Sequence, residues 1–362
     1  MIPQPANSLA TGVPNVEDAR VDAELEEMLH KLRTNVKIVG VGGGGSNTIA
    51  RIYSEGVTGA ELFAANTDAQ HLLAIRSPKK ILLGRRSTRG LGAGALPQVG
   101  EEAAREAEEE LRAVLSGADM VFVTCGLGGG TGTGGSGYIA RLAKEVGALT
   151  IAVVTLPFRG EGRLRAEAAE WGLERLREAA DTVITIPNDK LLDLVPRLSL
   201  QAAFKFADEV LMRSIKGLTE LITKPGLVNL DFNDVKTIMK GGGVAMIGLG
   251  ESQDVGDQRA QKAIEEAINS PLLEVDISGA TGVLVNVTGG SDMTVGEAER
   301  VAEVVQSRVS QNARIIWGAS VDPSLEHVMR VMLVATGVKS KQIMGRRAGF
   351  EGASRAGVDL IK

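Results

Sequence analysis

Two glycine clusters hold the residues best able to do chemistry. The first, Gly40-Val41-Gly42-Gly43-Gly44-Gly45-Ser46-Asn47, follows an apolar run and leads into a helical pattern. Backbone NH groups at a helix start, together with the positive end of its dipole, hold an anion. The second, Gly126 to Gly135, also follows an apolar run and interleaves its glycines with Thr131 and Thr133. So many glycines weaken a helix and a strand alike, which predicts backbone wrapped closely around a ligand, with the hydroxyls of Thr131 and Thr133 added to the NH donors. No GxxxxGK[ST] occurs anywhere. A triphosphate held here would have its charge met by NH groups plus a cation, magnesium by preference, rather than by a lysine. Plainer alternatives stand beside this one. The first cluster can be a tight strand-to-helix turn without a ligand. With Asp68 as the acidic position after the next strand, it can also be the fingerprint of an NAD-dependent oxidoreductase. That enzyme leaves the second cluster unexplained, and His30, His71 and His327 offer it no convincing base.

The elements that must position these loops are legible in the hydrophobic pattern. Short apolar runs at Val36 to Val41, Leu62 to Ala65, Met120 to Thr124, Leu149 to Leu156 and Thr182 to Pro187 alternate with amphipathic helices. That alternation predicts an α/β fold with a doubly wound parallel sheet. Ala104, Ala107, Leu111 and Val114 mark the buried face of one crossover helix. A long helix follows from Ser199 to Thr223, closed by Pro225 and Gly226. Beyond it, strands at Val244 to Gly250, Gly282 to Thr288, Arg314 to Ser320 and His327 to Thr336 are separated by two helices, one opened by a Thr294/Glu297 capping box. This predicts a second, mixed α/β domain. The expected division is an arm and helix over 1–34, a nucleotide domain over 35–198, a central helix over 199–225, a second domain over 226–338 and a tail from 339 to 362. In the first segment Leu25, Met28, Leu29 and Leu32 form a stripe suited to packing against the chain's own domain.

Composition removes several classes of function. A net charge of -5 and a pI near 5.5 give no broad basic field, so nucleic acid is not an expected partner. Cys125 is the only cysteine, which excludes an internal disulfide and any multi-cysteine metal site and suits the cytoplasm. No apolar run approaches the ~20 residues that span a bilayer, so direct membrane insertion is not expected.

The motifs now become specific. Gly128 to Gly134, GGGTGTG, resembles the tubulin signature loop, and from about Val36 to Gly337 the chain resembles the FtsZ cell-division family, with its motifs in order. The resemblance implies a GTPase that binds GTP and GDP through both glycine loops. Gly43, Gly44, Gly45, Ser46 and Asn47 would belong to the first phosphate loop, and Asp68 in Asn66-Thr67-Asp68 to the second. Gly92, Ala93 and Gly94 would form a third loop near the γ-phosphate, and Gly129, Gly130, Thr131, Gly132 and Thr133 the signature loop. Glu161 would accept from a ribose hydroxyl and Arg165 would contact sugar or phosphate. Asn188 lies in the next matching motif, Ile186 to Lys190. Phe204 would stack on guanine while Asp208 holds its N1 and N2 donors. Residues four apart share a helical face, and adenine lacks that donor pair. Read without the family, Phe204 is instead core and Asp208 a solvated surface charge.

Asn229-Leu230-Asp231-Phe232-Asn233-Asp234 opens a helix, where Asp231 serves as an N-cap and Asp234 favours the dipole. The segment also resembles the family's synergy loop. On that resemblance Asn229, Asp231 and Asp234 are catalytic, the two aspartates polarising water in the site of a neighbouring copy, so that hydrolysis requires head-to-tail assembly. The implied partners are the chain itself and a membrane-anchoring adaptor bound through the tail, where Ala356 to Ile361 resembles an archaeal terminal motif. The implied location is the division site. Other tubulin-like filament GTPases, of cell shape or plasmid segregation, share the signature loop, and a filament protein without useful hydrolysis would differ only in turnover. Leu96, Gly137 and Ser46 depart from the commonest family pattern, and no metal ligands are assigned.

Overall fold

A computed structural model of the chain describes residues 34–194, 199–224, 226–228, 230–254, 256–273 and 276–338. The arm with its stripe at Leu25 to Leu32, and also Pro225, Asn229 and the tail from Lys339, lie outside these residues.

Strands β1 (Val36–Val41), β2 (Ala60–Asn66), β3 (Lys79–Leu82), β4 (Met120–Gly126), β5 (Leu149–Leu156) and β6 (Thr182–Pro187) run parallel in the order β3-β2-β1-β4-β5-β6. This is the doubly wound order, in which the direction of winding reverses between β1 and β4. The strands are apolar on both faces, as interior parallel strands must be. In β1, Val36 and Ile38 enter one core while Val39 and Val41 enter the other; in β4, Met120 and Phe122 part in the same way from Val121, Val123 and Cys125. Helix α1 (Gly42–Ser54) lies over the first face. After α2 (Ala69–Ala74), helices α3 (Pro97–Glu106), α4 (Glu108–Leu115), α5 (Thr131–Glu145) and α6 (Arg163–Ala179) supply the second core.

After α7 (Asn188–Leu194) comes α8 (Leu200–Thr223), whose first NH groups are capped by Ser199, its hydroxyl accepting from Ala202 N at 3.3 Å. Its stripe of Ala207, Val210, Leu211, Ile215 and Leu218 packs into the core that also holds Ile184 and Ile186 of β6. With 24 residues, α8 is about 36 Å long. It starts beyond the carboxyl end of β6 and ends with Thr223 donating to Thr58 O at 3.5 Å, in the turn that precedes β2. It therefore crosses from the carboxyl edge of the parallel strands to their amino edge.

The remaining elements are α9 (Phe232–Met239), β7 (Gly243–Ser252), α10 (Asp257–Ile268), β8 (Gly282–Gly289), α11 (Val295–Arg308), β9 (Arg314–Val321) and β10 (Met329–Thr336). Strand β7 pairs parallel with β6, and the sheet continues as β7-β10-β8-β9, with β10 antiparallel to both its neighbours. The Thr294/Glu297 capping box forms in full. Arg259 of α10, only 3% exposed, grips Glu297 with two bonds of 3.1 and 2.9 Å and Asp292 at 2.7 Å, which holds the Asp292 carboxyl down to about 2.

The structure departs from the sequence expectations in three places. The crossover helix expected through Ala104 and Val114 is two helices, broken at Ala107. There the Glu106 carboxylate turns back to accept from Arg86 N and Ser87 N at 2.7 and 3.0 Å, and Glu108, Glu109 and Glu110 open a fresh helix at the end its dipole favours. The last strand starts at Met329, not at His327, because His327 has φ +61°, a left-handed conformation that a residue with a side chain rarely adopts in a strand. Strand β3, with only Ile81 and Leu82 apolar, gave too little pattern to be expected.

Candidate functional site

Both glycine clusters leave the sheet at the winding reversal, from the carboxyl ends of the adjacent strands β1 and β4. In open α/β sheets this crevice is where ligands bind. The glycines divide into two kinds. Some let backbones meet: a Cβ at Gly42, which has φ +73°, would stand 2.7 Å from Gly132 N, and one at Gly134 would stand 1.8 Å from Pro97 O. Others face open space, since a Cβ at Gly43, Gly92, Gly94 or Gly129 would meet no atom within 4 Å. The first kind locks the loops together. The second leaves a cradle of bare backbone that a ligand can approach closely, and in this respect the residues fit a bound phosphate chain.

Hydrogen bonds tie the loops into one surface. Gly130 N donates to Gly94 O at 3.0 Å, Gly92 N to Thr67 O at 3.1 Å, and Ala69 N to Gly90 O at 3.0 Å. The Thr67 and Thr131 hydroxyls bond each other at 2.6 Å. Thr133 has a second role within the signature loop. It is fully buried and its hydroxyl accepts from Gly128 N at 2.8 Å, so it shapes the loop, and Thr131 is likewise engaged with Thr67. The Thr133 hydroxyl therefore accepts within the loop and keeps its own proton to donate, and in the Thr67–Thr131 pair either oxygen can be the donor. Asp68 caps α2, one carboxylate oxygen accepting from His71 N at 2.9 Å. Leu96 holds the N-cap of α3 with no side-chain bond, 59% exposed, so the helix start lacks the acceptor an asparagine would supply.

A second set of side chains gathers beside the cradle. A Cβ at Gly128 would meet Arg165 O at 3.0 Å, which sets the first turn of α6 against the signature loop. Arg165 donates to Glu161 at 2.7 Å, and the other Glu161 oxygen accepts from Phe158 N at 2.9 Å. Phe158 in turn packs edge-on against Phe204, ring centroids 5.1 Å apart at 87°. Phe204 is not core: it is 39% exposed. Asp208, one turn on, is not a solvated charge either, because burial pushes its carboxyl up to about 6 against the opposing pull of Arg51. It has no hydrogen-bond partner among the described residues. An exposed ring and a desolvated, unpaired carboxylate on one helix face suit a flat base that carries paired NH donors. Asn188, at the carboxyl end of β6, is 4% exposed and its Oδ1 lacks a donor, as does the buried Ser46 hydroxyl. Buried acceptors are seldom left so without a ligand or water.

No lysine or arginine lies within 40–47, 90–94 or 126–135. Among the described residues, no cluster of three or more His, Cys, Asp or Glu side chains could hold a metal ion. A magnesium ion at this cradle would therefore be carried chiefly by phosphate oxygens and water, the coordination it prefers.

The acids Asp231 and Asp234 stand elsewhere. Asp231 caps α9, accepting from Asn233 N at 3.0 Å, and both aspartates are exposed. Helix α9 follows the far end of α8 and finishes where the Thr182 hydroxyl, on the first residue of β6, donates to Met239 O. The two acids thus lie beyond the far end of α8, a helix about 36 Å long that starts past the carboxyl end of β6 on the side of the cradle. Asn229 lies outside the described residues.

Sequence reasoning weighed His71 only as a catalytic base and placed Phe158 only within the stretch that resembles a ribose-binding motif, with no role of its own. His71 sits between the first and second loops, bonded to Asn47 and Asn66 at 3.1 Å each. Phe158 supports the Phe204 ring. Neither has a periodic signal; each acts through a partner distant in sequence.

Comparison with known proteins follows the same lines. Residues 35–196 match the Tubulin/FtsZ family GTPase domain and residues 243–339 the FtsZ family C-terminal domain. The cell division protein FtsZ 1 of Archaeoglobus fulgidus is 59% identical over 351 residues, covering 97% of this chain and 93% of that protein. The cell division protein FtsZ of Haloferax mediterranei is 59% identical over 347 residues, 96% of this chain and 92% of that protein. Among solved structures, an empty FtsZ dimer from M. jannaschii superposes with a TM-score of 0.84 at 54% identity, covering 88% of this chain and 92% of that one. A GTPγS-bound CetZ2 protofilament from Haloferax volcanii shares the fold, with a TM-score of 0.74 at 21% identity, over 86% and 96% of the two chains.

Proposed function

This chain belongs to the FtsZ family of tubulin-like GTPases, and from that premise we propose that it hydrolyses GTP in a site completed by two head-to-tail copies. One copy supplies the bed. The backbone NH groups of Gly43 to Asn47, Gly92 to Gly94 and Gly129 to Gly132 hold the phosphates, Asn188 and Glu161 accept from the ribose, Arg165 steadies that end, and Phe204 and Asp208 take the guanine. Magnesium, carried on the phosphates, neutralises charge that develops as the γ-phosphoryl group leaves. The next copy supplies Asp231 and Asp234. Their carboxylates accept from the attacking water and hold it in line with the bond to be broken.

The observation that carries this proposal is the separation along α8. Carboxylates beyond the far end of a helix about 36 Å long cannot touch a water at the cradle of their own copy, whereas the two ends of one protomer would face each other in a head-to-tail stack. Such a contact joins unlike surfaces and repeats without closing, so it propagates as a filament. Self-association is in keeping with the dimer that the M. jannaschii relative forms. The role that follows is a cell-division filament in the cytoplasm, brought to the membrane at the division site by an adaptor that binds the tail beyond residue 338. Among the described residues no helix is long and apolar enough to cross a membrane.

Mixing two crippled subunits tests the shared site. Asp231→Ala subunits keep the bed and lack the acid; Asp208→Ala subunits keep the acid and lack the base contact. Each alone is expected to be nearly inactive, and an equimolar mixture to regain turnover at junctions that join the intact halves. A mixture no more active than the sum of its parts would contradict a site shared between copies.

A further inference from the structure

His71 stands in a chain of hydrogen bonds that runs in one direction only. The backbone NH groups of Thr67 and Asp68 donate to Asn66 Oδ1 at 2.8 and 3.3 Å. A backbone NH can only donate, so the Asn66 amide is fixed with its Nδ2 toward His71 Nδ1, 3.1 Å away. An amide nitrogen also only donates, so Nδ1 accepts and carries no proton. In the neutral imidazole the proton then sits on Nε2, which donates to Asn47 Oδ1 at 3.1 Å. The imidazole is itself anchored, because the His71 backbone NH donates to Asp68 Oδ1 at 2.9 Å.

The end of the chain is Asn47, exposed on the first turns of α1 one turn on from the bare backbone of Gly43. With Oδ1 engaged by His71, its Nδ2 is left without a partner among the described residues. We propose that His71 is a positioning residue that sets the Asn47 amide so that its NH2 group, not its carbonyl, faces the bound nucleotide. This rests on the cradle being the GTP site. A reversed amide would set an acceptor against the acceptor oxygens of the nucleotide, and an untethered one would spend part of its time reversed. The second loop thereby controls the polarity of a donor on the first.

The test uses the full chain and GDP. In a nitrogen-15 spectrum at neutral pH, His71 is expected to show a bare Nδ1 and a protonated Nε2, readily assigned with only three histidines in the sequence. His71→Leu is expected to weaken GDP binding about five- to tenfold, the scale of one oriented hydrogen bond. In turnover assays the loss should fall on KM more than on kcat. His71→Gln should restore affinity to within about twofold of the wild type, because a glutamine amide again offers one acceptor and one donor. A proton found on Nδ1, or a leucine variant binding as tightly as the wild type, would overturn the relay alone. Failure of the wild type to bind GDP would overturn the nucleotide site and the relay with it. Should the leucine variant not fold, the spectrum and the glutamine variant decide the matter.

Discussion

Asp231→Ala subunits are expected to bind GTP within about twofold of the wild type and to hydrolyse it at least ~100-fold more slowly, the range ascribed to a positioned general base. Binding survives because the side chain lies at the amino edge of the sheet, away from every loop of its own cradle. Folding survives because Asp231 is exposed and its side chain bonds only Asn233, accepting from the backbone N in the cap of α9 and, at 3.5 Å, from Nδ2. Loss of that cap costs about 1 kcal/mol. Asp231→Asn separates the two roles, since an amide oxygen still accepts from Asn233 N but is a poor base for water. The asparagine variant should therefore match the wild type in thermal stability and still fail to turn over. Assembly with GTP should be retained or even prolonged in both variants, because the nucleotide is held and not consumed. Undiminished hydrolysis by Asp231→Asn would remove the residue from the mechanism.

Asp208→Asn is expected to lower GTP affinity roughly a hundredfold or more, the cost of losing one partner from a desolvated charge-assisted pair. It should also raise affinity for xanthosine triphosphate. Guanine presents two NH donors to the carboxylate, whereas xanthine keeps N1-H and carries a carbonyl at C2, which an asparagine NH2 can meet. The pH dependence has a definite sign. Burial lifts the carboxyl to about 6, and guanine binds only its ionised form, so nucleotide binding expels a proton from the fraction that holds one. Affinity should be flat above about 7 and fall as pH drops through 6 and below, by up to about tenfold per unit. Asp208→Asn should lose this dependence. An unchanged preference for guanine over xanthine would show that another group reads the base.

Much of this architecture was legible because the physics behind it is local. Strands buried on both faces carry unbroken apolar runs, so β1, β5 and β6 appear in the sequence with the bounds they have in the structure. The two glycine loops were legible for a related reason: backbone in contact with backbone, as at Gly42 and Gly134, tolerates no side chain. Other features depend on partners far along the chain. The break at Ala107 follows from the Glu106 carboxylate capping a turn twenty residues earlier, and nothing in the helical stripe records that contact. Thr133 has the residue type of a ligand donor, but nothing in the sequence records that its hydroxyl also accepts from Gly128 N within the loop. His71 carries no motif and acts only through Asn47 and Asn66. Phe204 and Asp208 needed three dimensions to be told from core and surface, since only their exposure and desolvation separate those roles.

The central claim is that one copy cannot hydrolyse the nucleotide it holds. It is tested most directly by GTP turnover per subunit measured across protein concentration, with light scattering to report assembly. Turnover per subunit is expected to be close to nil where scattering shows only monomers and to rise steeply once filaments form. A rate per subunit that stays constant down to dilutions where every copy is alone would contradict the account.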